Sequence, residues 1–273
     1  MSKYIKKNPT QKEAAAIKHR INTHIKYCSL QEFIRSLPQI RRDIADLLGD
    51  FTYSKNCIIA TILGVIDACS FRIGKDEYYK KNRSTGASTL QNKNISFLID
   101  KILISFLGKK QVRNACVLYD QEIINIISDL YQNNGDFIFK YKDDGVLKKV
   151  TYMDVNAFLN QYGDFTTKYY RTLKANVLFI DYLMETTVPS TKKEINTTYK
   201  AAVEFTASRL YHTSQICKKN YLDSNLIELY KTQTPQFYQL LETPLDTEEQ
   251  PQLSRAERLY FQFISNYCTN LLK

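Results

Sequence analysis

Hydrophobic positions in the first seventy residues recur at helical spacing. QKEAAAIKHRINTHI (11–25) opens alanine-rich, and PQIRRDIADLLGD (38–50) sets Ile40, Ile44, Leu47 and Leu48 on one face, with Gly49 as a plausible C-cap. SKNCIIATILGVIDACS (54–70) begins with a candidate serine N-cap and is apolar nearly all round, the pattern of a central core helix. The period then shortens. NISFLID (94–100), KILISFLG (101–108) and VRNACVLYD (112–120) are short and rich in branched and aromatic residues. They predict a small antiparallel sheet over 94–119, with GKKQ (108–111) as the tight turn between the last two strands.

Helical periodicity returns in DQEIINIISDLYQ (120–132) and stops at NNGD (133–136). FIFKYKDDGVLKKVTY (137–152) predicts a hairpin around DDG, followed by a helix in MDVNAFLNQYG (153–163). Further helices are expected over 166–186 and 193–211, with TVPSTKK as the loop between them, and in NLIELYKTQ (225–233). TPLDTEEQPQ (243–252) reads as a polar linker, and RAERLYFQFISNYCTNLL (255–272) as a last amphipathic helix. The expected architecture is mainly α with a small antiparallel β insert. It divides into a basic arm over 1–13, a main domain over 14–242, and the linker with its final helix over 243–273.

Composition narrows the class. A chain of 273 residues, 44% hydrophobic and 24% charged, can bury a proper core. The net charge is +10, and it is unevenly placed. The last fifty residues hold four basic and six acidic side chains, which leaves +12 on residues 1–223, a balance that suits a polyanion, either nucleic acid or an anionic membrane surface. Six scattered cysteines show no CxxC or other metal-ligand spacing, and with no secretory signal they point to a reducing, intracellular compartment. The longest apolar run, CIIATILGVI (57–66), is too short to span a bilayer. No zinc cluster, P-loop or GxGxxG is present, so any enzyme here is expected to use neither metal nor nucleotide.

Chemistry concentrates in a few places. LYHTSQICKKNYLD (210–223) sets a histidine, two lysines and a tyrosine into one short stretch. FRIGKDEY (71–78) places Arg72 just past the apolar helix, with Lys75 and Tyr78 following. FLGKKQ (106–111) puts Lys109 at the tip of a β-turn, and KYYR (168–171) sets Lys168 and Arg171 at i, i+3 on one helix face. Each alone is ordinary for a solvated surface. Their order is not: arginine, turn lysine, KxxR, histidine and tyrosine together resemble the catalytic set of type IB DNA topoisomerases, in the small form of poxviruses, other large DNA viruses and some bacteria.

The resemblance covers roughly residues 38–230. FRIGKDEYYKKNRSTGASTLQNKNI (71–95) is similar to the family's arginine segment with its Gly-x-x-Thr-Leu stretch at Gly86–Leu90. SFLGKKQVRN (105–114) is similar to the lysine hairpin, and residues 144–179 to the approach to the second arginine. HTSQICKKNY (212–221) keeps the nine-residue step from histidine to tyrosine. Departures are Ser214 where the family usually has proline, Cys217 where it has serine, and Asn94 where histidine is common.

The resemblance implies that Tyr221 attacks a DNA phosphodiester, forming a 3′-phosphotyrosine and freeing a 5′-hydroxyl, which stores the bond energy for resealing without ATP. Arg72, Arg171 and His212 would stabilise the charge that develops on the non-bridging oxygens. Lys109 would protonate the leaving 5′-oxygen, with desolvation beside the arginines lowering its pKa. Lys168 would assist Arg171, Lys75 and Tyr78 would contact DNA near the cleaved strand, and Lys218 and Lys219 would clamp its backbone. No cofactor, nucleotide or membrane is implied; the expected partner is double-stranded DNA bound by a monomer. The setting would be a viral factory or virion if the chain is viral, otherwise nucleus or cytoplasm. Two alternatives remain at this point: a tyrosine recombinase, which typically carries histidine where Lys168 stands, and a non-catalytic DNA-binding accessory protein of the same fold.

Overall fold

The computed structural model describes residues 11–49, 52–133, 137–244 and 251–270. Most of the expected arm, most of the NNGD stop and the middle of the 243–252 linker lie outside these residues.

Helix α1 runs from Gln11 to Leu48 and passes straight through Pro38, where the sequence pattern predicted a fresh start. Proline removes one backbone hydrogen bond and costs about 3 kcal/mol inside a helix. Ile34, Leu37 and Ile40 around it are fully buried, each stabilising by about 1.5–3 kcal/mol, so packing outweighs the break. Helix α2 (Lys55–Cys69) is buried on nearly every face, as its all-round apolarity predicts. Ser54 caps it by accepting from the Cys57 amide at 3.3 Å, and Ser70, left-handed at φ 56°, ends it. That turn throws the chain into the Arg72 segment.

After α3 (Asp76–Asn82) come strands β1 (Ile95–Phe97), β2 (Ile102–Leu107) and β3 (Arg113–Leu118), an antiparallel sheet in the order β1-β2-β3. Ile104 pairs with Ile95 on one side and Cys116 on the other, and the 108–111 turn falls where expected. Helix α4 (Gln121–Asn133) follows, and then a second antiparallel pair, β4 (Lys140–Asp143) with β5 (Val146–Lys149), closed by Asp144 and Gly145 at positive φ. Among the described residues the β content is therefore two small antiparallel sheets, the expected insert and the expected hairpin around DDG.

Helices then run to the end of the described chain: α5 (Tyr152–Leu159), α6 (Lys168–Met184), α7 (Lys192–Arg209), α8 (Ser214–Asn220), α9 (Ser224–Thr232), α10 (Thr234–Glu242) and α11 (Arg255–Asn270). The short α8 and α10 have no independent signature in the sequence pattern. Helix α1 packs against α2, α6 and α11, and α2 packs in addition against α4, α5, β3 and β4. Arg41 of α1 joins these elements, pairing with Asp67 of α2 and Glu257 of α11, each at 2.8 Å. The six cysteines do not all stand alone. Cys28 bonds Cys268, tying α1 to α11, and Cys69 bonds Cys116, tying α2 to β3, while Cys57 and Cys217 are buried and belong to neither disulfide. Separations of 240 and 47 residues hide both pairs from a reading of local spacing. Among the described residues no helix is long and apolar enough to cross a membrane.

Candidate active site

The Arg72 segment is built on glycine. A Cβ on Gly86 would lie 2.4 Å from the Gly74 amide nitrogen and 2.6 Å from the Arg72 carbonyl oxygen, so two strands of backbone touch where side chains would separate them. Gly74 itself sits at φ 82°. Across this contact Ala87 donates to the Arg72 carbonyl at 2.8 Å and Ser88 to the Ile73 carbonyl at 2.7 Å, while Thr89 Oγ1 accepts from the Gly86 amide at 2.9 Å. The Gly-x-x-Thr-Leu stretch is thus a cradle for the arginine's backbone. It also reaches the hairpin, since Thr85 donates to the Leu107 carbonyl at 2.9 Å.

The hairpin tip holds Lys109 ahead of two left-handed residues, Lys110 (φ 61°) and Gln111 (φ 58°). Gly108 makes room for Asn114, a 2%-exposed side chain that donates to the Val112 carbonyl at 2.9 Å and braces the turn from below. Lys109 is exposed, so the desolvation expected of it is not supplied by the protein alone.

Arg171, the fourth residue of α6, is 3% exposed. Its two Nη atoms donate to the Ser70 carbonyl and, at 2.7 Å, to the Leu210 carbonyl, which knits the approach to Arg72 to the approach to His212. Its Nε is buried without a partner. Burial and the neighbouring Arg72 lower its pKa to about 10, which leaves it charged at neutral pH.

Tyr221 caps the C-terminus of α8 and lies against both guanidinium groups, with Arg171 5.5 Å from its ring centre. Burial raises its pKa, but Arg171 and Arg72 lower it by more, so the phenol sits below its ordinary value. His212 stacks flat on the same ring at 4.8 Å. Burial, then Arg171 and Arg72, depress its pKa to about 4, so the imidazole is neutral. Neither ring nitrogen makes a hydrogen bond of ordinary geometry, although the Thr213 backbone lies near enough to influence its charge.

A cleft of about 860 Å³ opens over this group and is lined by Arg72, Lys109, Lys168, Arg171 and Tyr221, with Lys75 and Tyr78 at its edge from the start of α3. Four segments far apart in the chain supply these residues, and Lys26 and Leu30 of α1 add a fifth. His212 stands behind Tyr221, not on the cleft wall. Lys218 and Lys219 do not line it either; Lys218 lies 5.9 Å from the Tyr199 ring, and Lys219 is exposed. The cleft runs on, through Thr85 and Phe106, into a second hollow of about 640 Å³ lined by Arg83, Lys93 and Arg113, basic residues that no sequence motif marked. Asn176 was also unmarked. Fully buried one turn beyond Arg171, it donates to the Tyr221 carbonyl at 3.1 Å and accepts from the Asp223 amide at 2.8 Å.

The departures from the family pattern fall at positions that tolerate them. Ser214 is the first residue of α8, where the amide needs no helical partner and a proline ring is favoured but not required. Cys217 is buried, and its carbonyl accepts from the Tyr221 and Leu222 amides. Asn94 accepts from the Gln91 amide at 3.0 Å and donates to the Ser105 carbonyl at 3.2 Å, a structural role. Among the described residues no group of three or more His, Cys, Asp or Glu is placed to hold a metal ion.

The chain is similar in sequence to known proteins. The family described as eukaryotic DNA topoisomerase I, catalytic core, matches residues 14–243. The chain is 30% identical over 223 residues to the DNA topoisomerase 1B of Acanthamoeba polyphaga mimivirus, covering 78% of this chain and 66% of that protein. It is 30% identical over 171 residues to the DNA topoisomerase I of Monkeypox virus, covering 59% and 49%. With the DNA topoisomerase 1 of rabbit fibroma virus it shares 27% over 215 residues, covering 76% and 61%. The chain therefore spans between about half and two thirds of the length of these relatives.

Proposed function

The chain belongs to the type IB DNA topoisomerase family in its small viral form, and from that premise we propose that it relaxes supercoiled DNA by cutting and resealing one strand through Tyr221. One observation carries the reading: a phenol of lowered pKa lies against two guanidinium groups, on the floor of a cleft rimmed by lysines from two other segments.

In the proposed reaction the Tyr221 oxygen forms a bond to phosphorus as the bond to the 5′-oxygen breaks. The phenolic proton passes to solvent, and Lys109 supplies a proton to the departing 5′-oxygen. Charge gathers on the two non-bridging oxygens. Arg72 and Arg171 line the cleft beside them, and a neutral N–H of His212, which stands behind Tyr221, would reach them as the phenol moves onto phosphorus. With His212 uncharged, the positive charge comes from the arginines and lysines, and the histidine adds direction. Lys168 stands one turn before Arg171 and addresses the same phosphate. Resealing is the reverse, with phenolate as the leaving group and deprotonated Lys109 accepting the hydroxyl proton.

Lys75, Tyr78 and the basic hollow beyond the hairpin supply contacts to the duplex on either side of the cut, and Lys218 and Lys219 serve as outlying clamps. The proposed substrate is double-stranded DNA inside a cell or virus factory, engaged by a monomer. Neither the recombinase nor the accessory reading is favoured by the relatives. The test is incubation with negatively supercoiled plasmid in EDTA without ATP. Relaxation, with protein trapped on 3′ ends by denaturant, is expected; binding without relaxation would leave the accessory reading in its place.

A further inference from the structure

Tyr221 caps a helix seven residues long, too short to hold its own shape. What fixes the turn that follows comes from elsewhere. The Asn220 carbonyl accepts from Lys26 Nζ at 2.8 Å, and the Leu222 carbonyl accepts from the Tyr27 hydroxyl at 2.7 Å. Both donors are on α1, nearly two hundred residues away. Two residues past the phenol, the fully buried Asp223 carboxylate accepts from the Asn225 amide at 2.9 Å and from the Tyr260 hydroxyl of α11 at 3.1 Å. The two donor helices are themselves joined by Cys28–Cys268, by Gln31 to Ser265 at 3.0 Å and by Arg41 to Glu257.

We propose that Lys26 and Tyr27 of α1 and Tyr260 of α11 are positioning residues for the nucleophile, holding the 220–223 turn so that the phenol stays in line with the phosphate. The inference rests on Tyr221 being the nucleophile. Buried hydroxyls on remote helices would be unremarkable if they bonded anywhere in the core; here each ends on the backbone or side chain of the same four residues. Lys26 also lines the cleft, 2.8 Å from the carbonyl that precedes Tyr221, so α1 forms part of the site's wall as well as its frame. A shift of about 1 Å at a reacting atom costs roughly 10²-fold in rate, and loss of one clamp would allow a shift of that order.

The test uses Lys26→Met, Tyr27→Phe and Tyr260→Phe, with Tyr238→Phe as a control that loses a comparable hydroxyl contact, to Thr186 at 3.1 Å, away from the turn. With enzyme in excess over plasmid, the first-order rate of covalent adduct formation is read after denaturant quench, and DNA affinity is read by filter binding. Each positioning variant should lose about 10–100-fold in rate while affinity stays within about twofold, and Lys26→Arg, which can still donate to the Asn220 carbonyl, should recover most of the loss. Tyr238→Phe should cleave at the parental rate. Parental rates in all three variants, or losses matched by Tyr238→Phe or by affinity, would overturn the proposal. Lys26 is only half-buried, so its replacement cannot be dismissed as unfolding. Adducts formed by Tyr221→Phe would instead sink the reading on which this one depends.

Discussion

His212 lies flat on Tyr221, ring centroids 4.8 Å apart and planes 10° from parallel. The histidine therefore limits where the phenol can swing. Its neutrality has a measurable cost. A folded-state pKa near 4 against an ordinary 6.5 means that the unfolded chain binds the proton and the folded one does not. The stability this site contributes is fully present above about pH 6.5 and is lost as pH falls toward 4. His212→Gln should flatten the fall in melting temperature across that window, and an unchanged slope would show that the ring is not held neutral. The cleavage rate should show no inflection near pH 6.5 from this group.

Tyr221→Phe should abolish plasmid relaxation and capture of the 3′ end while DNA binding survives, because every cation of the cleft remains. Tyr211 is the neighbouring phenol, but its hydroxyl donates to the Ala115 carbonyl and is committed to the fold. Adducts from the Phe variant that disappear when Tyr211 is also replaced would move the nucleophile there.

Lys109→Ala should slow cleavage by roughly 10²–10⁴-fold, the usual worth of a positioned general acid. On a mapped site with sulfur at the 5′-bridging position the loss should largely vanish, since thiolate leaves without a proton. Lys110, left-handed at the next position, is the control. Sulfur rescue of Lys110→Ala and not of Lys109→Ala would hand the role to the neighbour.

Gly86→Ala should uncouple the arginine from the site. The added methyl meets backbone on two sides within 2.6 Å, and backbone cannot swing aside as a side chain can. Overpacking of this kind costs about 1–3 kcal/mol or more, and cleavage should fall further than stability alone accounts for because Arg72 moves with its carbonyl. A variant as active as its parent would mean that the cradle does not set the arginine's position.

Affinity for DNA should depend steeply on salt. For 6–10 phosphate contacts, binding falls by about 10³–10⁵ between 50 and 200 mM, and relaxation should become distributive over that range. Fully relaxed plasmids coexisting with untouched ones at the upper end would show a grip that does not rest on phosphate charge.

Much of this was legible in the sequence. The Ser54 cap, the all-apolar α2, the 108–111 turn and the DDG hairpin are local chemistry, and each stands where the pattern put it. Proximity of Arg72, Lys109, Lys168, Arg171 and Tyr221 could be expected only through the family resemblance, because no spacing rule brings positions 72 and 221 together. The continuity of α1 through Pro38 was not legible, because the burial that holds it is tertiary. Lys26, Tyr27, Asn176 and Tyr260 were invisible for a related reason. They act through hydroxyl, amide and ammonium groups aimed at backbone far away, and such bonds leave no period, motif or charge run behind. Lys218 and Lys219 were the opposite case, a conspicuous pair beside the tyrosine that does not line the cleft.

The packing of α1 against α11 also has a consequence for the chain as it is made. Tyr221 precedes Tyr260 by 39 residues, and synthesis at about 5–20 residues per second makes the tyrosine roughly 2–8 s before the helix that completes its surroundings. During that interval the growing chain already carries its arginines, its lysines and its phenol. What it lacks is the last helix, and with it the closed ring of contacts around residues 220–223. A half-made molecule of this design has every side chain of the cleft but an incompletely held tyrosine turn.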